Sequence, residues 1–131
     1  MKKGLVIINE SHSLMPDQRR VLDSEIGEGS WSTLLVPEAG WTLDEIRNVY
    51  VSIAESAPER LAEDEVGGLH VVFASPVPAL LNYIAQLAGA ETRLLTCWVL
   101  HNDHRVAKEV PDGRGGVRIV HSIAPTGWRL A

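Results

Sequence analysis

Asn9, Ser11 and His12 stand directly behind the apolar run Gly4–Ile8, and a helix-compatible segment opens at Pro16. Histidine is the side chain that takes or gives a proton near neutral pH, so His12 is equipped to remove a hydroxyl proton or to hydrogen-bond a phosphate oxygen. Its plain alternative is a solvent-facing loop residue. Three further polar groups recur behind other apolar runs: Pro37 and Glu38, Ser75 and Pro76, and His101 and Asn102. Side chains placed after successive strands share one crevice only if those strands run parallel, because a parallel sheet gathers its carboxyl-end loops at one edge.

The hydrophobic periodicity predicts such a sheet. Residues 4–9 read as a strand and 16–26 as a helix with Val21, Leu22 and Ile26 inward. Trp31–Val36 reads as a second strand. Thr42 and Glu45 form a capping-box pattern ahead of Leu43, Ile46, Val49, Tyr50, Ile53 and Ala57. The acidic stretch Glu59–Glu65 reads as a solvated connection ending at Gly67-Gly68. Leu69–Ala74 is near-continuously apolar, as in a strand covered on both faces. Ser75 as N-cap and Pro76 as first helical residue would then open a helix over 77–88 that Gly89 closes. Arg93–Leu100 is a fourth strand, completing β-α-β-α-β-α-β, the pattern of a Rossmann-like, mostly parallel open sheet in an α/β fold. Arg105–Val110 and Val117–Ala124, joined by the turn 111–116, read as an antiparallel hairpin added to that sheet.

The 131 residues suit a single domain over 1–131. An apolar fraction of 45% with 22% charged residues is ordinary for a globular protein. No apolar run reaches the about 20 residues that span a bilayer. Met1-Lys2-Lys3 resembles the start of a signal peptide, but the apolar stretch stops at Ile8 without a small-residue cleavage site, so a cytoplasmic protein without membrane contact is expected. A net charge of −5 argues against affinity for DNA or long RNA, while leaving room for a small anion held by backbone N–H groups and a few cations.

Cys97, the only cysteine, lies in the apolar run Leu94–Leu100 and is expected as a buried strand thiol, which excludes an internal disulfide. His101 and His104 make an H-x-x-H pair without a second ligand pair, so no metal and no cofactor are expected. His70 and His121, inside apparent strands, are expected to pack in the core. Of the tryptophans at 31, 41, 98 and 128, Trp41 precedes a helix and is best placed to stack a base. Phosphate-loop, dinucleotide-fingerprint and nucleophile-elbow motifs are absent. The glycines at 113, 115 and 116 belong to a hairpin turn.

Asn9-Glu-Ser-His-Ser-Leu with Gln18 behind it, Ser75 at the third strand's end, and His104-Arg-Val-Ala-Lys-Glu109 together resemble the small stand-alone CARF-like proteins of type III CRISPR systems, including the ring nucleases. The similarity covers about two thirds of the chain in short pieces. It departs from the family at Met15, where relatives carry a polar helix cap, and at His101-Asn102-Asp103, where they carry a Thr-rich turn.

The resemblance implies a Rossmann-like homodimer that binds a cyclic oligoadenylate, with cyclic tetra-adenylate the expected ring, across a two-fold axis in antiviral defence. In the ring nucleases it further implies metal-independent cleavage, in which a ribose 2′-OH attacks its own 3′-phosphate in line. On that reading His12 serves as base or phosphate donor. Arg105, Lys108 and the helix start at Ser75-Pro76 stabilise phosphate charge, with His101 beside them. Asn9, Ser11 and Asn102 hold ribose or adenine. For Arg105 the plain alternative is an ion pair with Asp103 or Glu109, and for Lys108 a solvated strand face. Two rival functions remain: a sensor or sink that binds the ring without cutting it, and an interaction subunit with no nucleotide ligand.

Overall fold

A computed structural model describes residues 3–57, 68–90 and 95–131. The chain runs β1 (Lys3–Asn9), α1 (Pro16–Leu22), β2 (Trp31–Val36), α2 (Leu43–Ser56), β3 (Leu69–Phe73), α3 (Pro78–Ala90), β4 (Leu95–His101), β5 (Arg105–Pro111), β6 (Val117–Ile123) and β7 (Arg129–Leu130). Five strands form one sheet in the order β2-β1-β3-β4-β7, parallel except for β7. The α/β, Rossmann-like open sheet read from the sequence is therefore the architecture of the protein. The predicted acidic connection at 59–65, Gly67 and the start of the fourth strand at Arg93 and Leu94 lie outside the described residues.

Strand alternation sorts the core into two layers. Val6 and Ile8 of β1 join Leu22, Ile26 and Val72 beneath α1, whereas Ile7 turns the other way to meet Val71, Phe73, Leu80 and Ile84 beneath α2 and α3. Successive side chains of a strand point to opposite faces, so a run such as Val6-Ile7-Ile8 has to be apolar throughout when helices cover both. Gly4 meets a separate demand: a Cβ there would lie 2.8 Å from the Trp31 Cβ and 2.9 Å from the Ile26 Cδ1, so the strands and the segment after α1 close up only over glycine. Tyr50 and Tyr83 meet at 5.5 Å between ring centroids where α2 packs on α3.

The first helix does not run unbroken to residue 26. α1 ends at Leu22 and Asp23–Gly27 widens into one π-helical turn. Ile26 follows the fully buried Leu22 by four residues and stays buried through this wider turn. Asp23, at the first position of that turn, accepts a hydrogen bond from the Trp31 indole N–H at 2.9 Å. The capping box at α2 forms as expected, with Glu45 N–H donating to Thr42 Oγ1 and Thr42 N–H to Glu45 Oε1.

The third helix starts later than expected. Leu81 N–H bonds the Val77 carbonyl and Pro78 takes the first helical position, so Ser75 is not the N-cap and Pro76 is not the first residue of the helix. In Ser75-Pro76-Val77-Pro78 the second proline fills the position where a missing N–H costs nothing.

The predicted hairpin exists but does not extend the sheet. β5 and β6 pair only with each other, and the sheet edge beside β4 is taken by β7. Asn102 is the physical cause. It is 4% exposed; its Oδ1 accepts the His104 N–H, and its Nδ2 donates to the Ala124 and Thr126 carbonyls at 2.9 Å each. That clamp turns the chain off the sheet at the end of β4 and closes the base of the hairpin, so the strand that returns to β4 is the one after residue 124. Gly127 completes the return at φ +94°, where a Cβ would be strained and would lie 3.1–3.3 Å from the His104 ring and Asn102 Oδ1.

Three side chains sit otherwise than the sequence suggested. His121 is exposed on β6, because the hairpin stands apart from the core. Cys97 is only partly buried in β4, and burial raises its thiol pKa above the ordinary value. Trp41 packs against the α2–α3 core. His70 is buried as expected, its Nδ1 accepting the Trp98 indole N–H at 2.9 Å with the rings nearly parallel. No helix among the described residues is long and apolar enough to cross a membrane.

Ile7 is fully buried at the centre of the larger layer. Ile7→Ala is expected to lower unfolding free energy by about 2–5 kcal/mol in urea titration, with no change in the spectrum of the folded state. A loss below about 1 kcal/mol would show that β1 is not central to the core.

Candidate functional site at the carboxyl edge

In the order β2-β1-β3-β4 the chain leaves β1 in one direction and returns to its other side, so the loops after β1 and β3 diverge and leave a crevice between them. Asn9 ends β1, and Ser75 stands two residues past the end of β3 at Phe73.

They are bonded to each other. The Asn9 N–H donates to Ser75 Oγ at 2.9 Å, and the Ala74 and Ser75 N–H groups both reach the Ile7 carbonyl, at 2.8 and 3.1 Å. Asn9 Oδ1 in turn accepts from Ser11 N–H at 2.9 Å and Ser11 Oγ at 2.7 Å, folding the loop back over the strand end. The His12 N–H bonds the Asn9 carbonyl, which brings His12 Nδ1 to 3.4 Å from Ser75 Oγ. Ser75 is 5% exposed and His12 is exposed. The serine is thus a positioning group and the imidazole the one that meets solvent. The tautomer sets the role: with Nδ1–H toward Ser75, Nε2 is a base; with the Ser75 hydroxyl donating to Nδ1, neutral His12 presents Nε2–H as a donor.

Beside this cluster is a cleft of about 470 Å³ whose walls include Ile8, Ser11, His12, Ser13, Met15, Gln18, Ala74, Ile123 and Trp128. His12 is the one ionisable side chain among them. Gln18 is buried, and its Oε1 accepts the Met15 N–H at 2.8 Å, fixing the turn that leads into α1. Trp128 is held at the cleft by its own N–H, which donates to Asp17 Oδ2 at 3.0 Å; its indole N–H is buried and meets no acceptor among the described residues. Asp17 also receives Arg20 Nε at 2.8 Å. That guanidinium bond first, then the Trp128 backbone N–H, holds the Asp17 carboxyl below its ordinary pKa. A hollow of similar size, about 420 Å³, lies at the opposite, amino edge around Gly29–Ser32, but Lys3 is its one ionisable wall residue. Chemistry, not volume, separates the two.

Of the residues singled out from the sequence, Asn9, Ser11, His12 and Ser75 come together in one hydrogen-bonded unit, with exposed Pro76 next to it. The others sit at the far end of β4 and beyond. His101 is exposed at the end of β4, opposite Arg129 of β7. Asn102 is occupied as the hairpin clamp. Arg105 makes no ion pair with Asp103 or Glu109: its Nη1 donates to the Asn102 and His104 carbonyls at 2.7 and 3.0 Å, and Asp103 pairs with Arg129 instead. Arg105 nonetheless stands opposite Ile123, a wall of the cleft, in the hairpin register, so the base of β5 borders the site. Lys108 is exposed farther along the hairpin.

Gln18, Ile123 and Trp128 were not expected as wall residues from periodicity. Gln18 is placed locally, by its bond to the Met15 N–H, whereas Trp128 depends on the Asp17 bond 111 residues away and Ile123 on the Asn102 clamp at the base of the hairpin. No group of three or more His, Cys, Asp or Glu among the described residues is arranged to hold a metal ion. Comparison of the chain with protein-family models, curated proteins and solved structures returns no match.

Ser75→Ala removes the acceptor of a part-buried backbone N–H. It is expected to cost about 1–3 kcal/mol in urea unfolding. A change within about 0.5 kcal/mol would show that the bond between the two strand ends contributes nothing.

Proposed function

We propose that the carboxyl-edge cleft binds a cyclic oligoadenylate, with a four-membered ring the expected ligand, and that the chain opens that ring without a metal. The observation that carries this reading is the Asn9–Ser11–His12–Ser75 unit at the switch point between β1 and β3, which places one orientable imidazole beside a cleft large enough for a nucleotide. The same residues bear the sequence resemblance to ring nucleases. Trp128 supplies an aromatic wall suited to an adenine, and the serine and asparagine groups suit ribose hydroxyls.

In the proposed step a ribose 2′-oxygen attacks the adjacent 3′-phosphorus as the bond from phosphorus to the 5′-oxygen breaks. The products are a 2′,3′-cyclic phosphate and a free 5′-hydroxyl, so no water or oxidant is consumed. His12 Nε2 removes the 2′-hydroxyl proton while solvent protonates the departing 5′-oxygen; in its other tautomer His12 donates to a phosphate oxygen and solvent carries the proton from the 2′-hydroxyl to the 5′-oxygen. Holding nucleophile and phosphorus in line contributes on the order of 7–11 kcal/mol in favourable intramolecular cases, which makes a site with a single ionisable wall residue sufficient. Arg105 at the cleft border and Lys108 beyond it are the cations available to phosphate.

A second reading keeps the ligand and drops the cut. It is favoured by the Arg105 guanidinium being engaged with two carbonyls, which leaves His12 with little electrostatic support. A sensor or sink would need no more.

The purified chain is expected to convert cyclic tetra-adenylate in EDTA to linear fragments ending in 2′,3′-cyclic phosphate. His12→Ala is expected to slow this by about 10²–10⁴-fold while calorimetry still detects binding. Tight binding with an intact ring, across ring sizes, selects the sensor. No binding of any ring refutes both.

A further inference from the structure

Ring opening takes two proton transfers, and the cleft wall supplies a group for one. The 2′-hydroxyl loses a proton as the departing 5′-oxygen gains one, whereas His12 is the one ionisable side chain among the wall residues. A cyclic tetra-adenylate is also too large to be enclosed by about 470 Å³, since hollows of that scale hold single drug-sized ligands. A bound ring therefore extends past the wall, and the groups beside the wall become part of the site.

Ile123 is the wall residue from which those groups are counted. It pairs with Arg105 across the β5–β6 hairpin; further out His121 pairs with Ala107, and Ile119 with Glu109. Paired residues share a face of the ribbon and every second residue of a strand returns to it, so His121 stands on the face of Ile123, about 7 Å outward. His121 is exposed and makes no hydrogen bond or ion pair with any described residue. Ala107 opposite it is small and leaves the face open around the imidazole. The other histidines beyond His12 are placed differently. His70 is buried, His101 ends β4 opposite Arg129, and His104 Nε2 lies 3.8 Å from an Asp103 carboxylate oxygen.

We propose that His121 is the general acid of ring opening. This rests on the ring-opening reading of the cleft and adds the group that hands a proton to the leaving oxygen in place of solvent. With His12 in the tautomer whose Nε2 accepts, the 2′-hydroxyl proton passes to His12 and the 2′-oxygen lone pair forms the bond to phosphorus. The bond from phosphorus to the 5′-oxygen breaks with its electron pair on oxygen, and that oxygen takes a proton from the His121 imidazolium. His12 leaves the step protonated and His121 neutral; exchange with solvent restores both. Imidazole suits this role because its charge changes near neutral pH. Base and acid stand on separate elements, the loop after β1 and strand β6, which fits an in-line displacement whose entering and leaving oxygens lie on opposite sides of phosphorus. Glu109, one pair beyond His121 on the same face, is a carboxylate that bounds the stretch a phosphate can occupy.

Single-turnover opening of cyclic tetra-adenylate by the full chain in EDTA tests the assignment. His121→Ala is expected to slow it by about 10²-fold or more, with calorimetric affinity for the ring within about threefold of the parent's. The position is exposed, so circular dichroism and the unfolding midpoint should match those of the parent chain. A ring carrying sulfur in place of the bridging 5′-oxygen separates an acid from a mere support, because a thiolate departs without a proton. Parent and His121→Ala should open that ring at the same rate, while His12→Ala stays slow. Equal slowing on the oxygen and sulfur rings, or no slowing on either, would overturn the acid role and leave the ring-opening reading standing. A parent chain that opens neither ring would overturn both, and the parent alone reveals it.

Discussion

The bond from the Asn9 N–H to Ser75 Oγ ties together the carboxyl ends of the two central strands, and the site is assembled around it. Past the end of a β-ladder, backbone N–H groups lose their strand partners and must find others or face water. Here the buried serine hydroxyl accepts from β1's last residue, and the Ile7 carbonyl receives two N–H groups from the β3 side. With both loops pinned, Asn9 is able to fold Ser11 back and His12 arrives beside Ser75. The imidazole is placed by the same contacts that end the strands, which links sheet topology directly to chemistry.

A second constraint shapes the other wall. Asn102 satisfies three backbone groups at once and sends the chain away from the sheet as the β5–β6 hairpin. The chain then returns as β7, and the Asp17 carboxylate fastens Trp128 against the side of α1. The cleft consequently has a hydrogen-bonded β1–β3 floor and is bordered on the far side by the root of the hairpin.

Much of the architecture was legible because it rests on local pattern. The Trp31–Val36 run reproduces β2, and Thr42 with Glu45 marks the start of α2, since both depend on neighbours within a turn or a strand. Asn9, Ser11, His12 and Ser75 were recognisable as neighbours once the strands were read as parallel. The failures have longer-range causes. Ser75 has the composition of an N-cap, but the orphan N–H of Asn9, 66 residues away, claims its hydroxyl. Val110 and Val120 alternate as sheet strands do, yet periodicity does not say which sheet, and the Asn102 clamp decides. His121 reads as core only if that hairpin joins the sheet. Trp128, behind a glycine near the end of the chain, carries no periodic signal and is placed by Asp17, 111 positions earlier.

The central claim is that ligand meets this protein at the joined ends of β1 and β3. Amide chemical shifts followed by nuclear magnetic resonance during titration with cyclic tetra-adenylate test it most directly. The account predicts the largest saturable shifts at Asn9, Ser11, His12 and Ser75, with the Trp128 indole moving in step. Shifts confined to Gly29–Ser32 at the amino edge, or none anywhere, would contradict it.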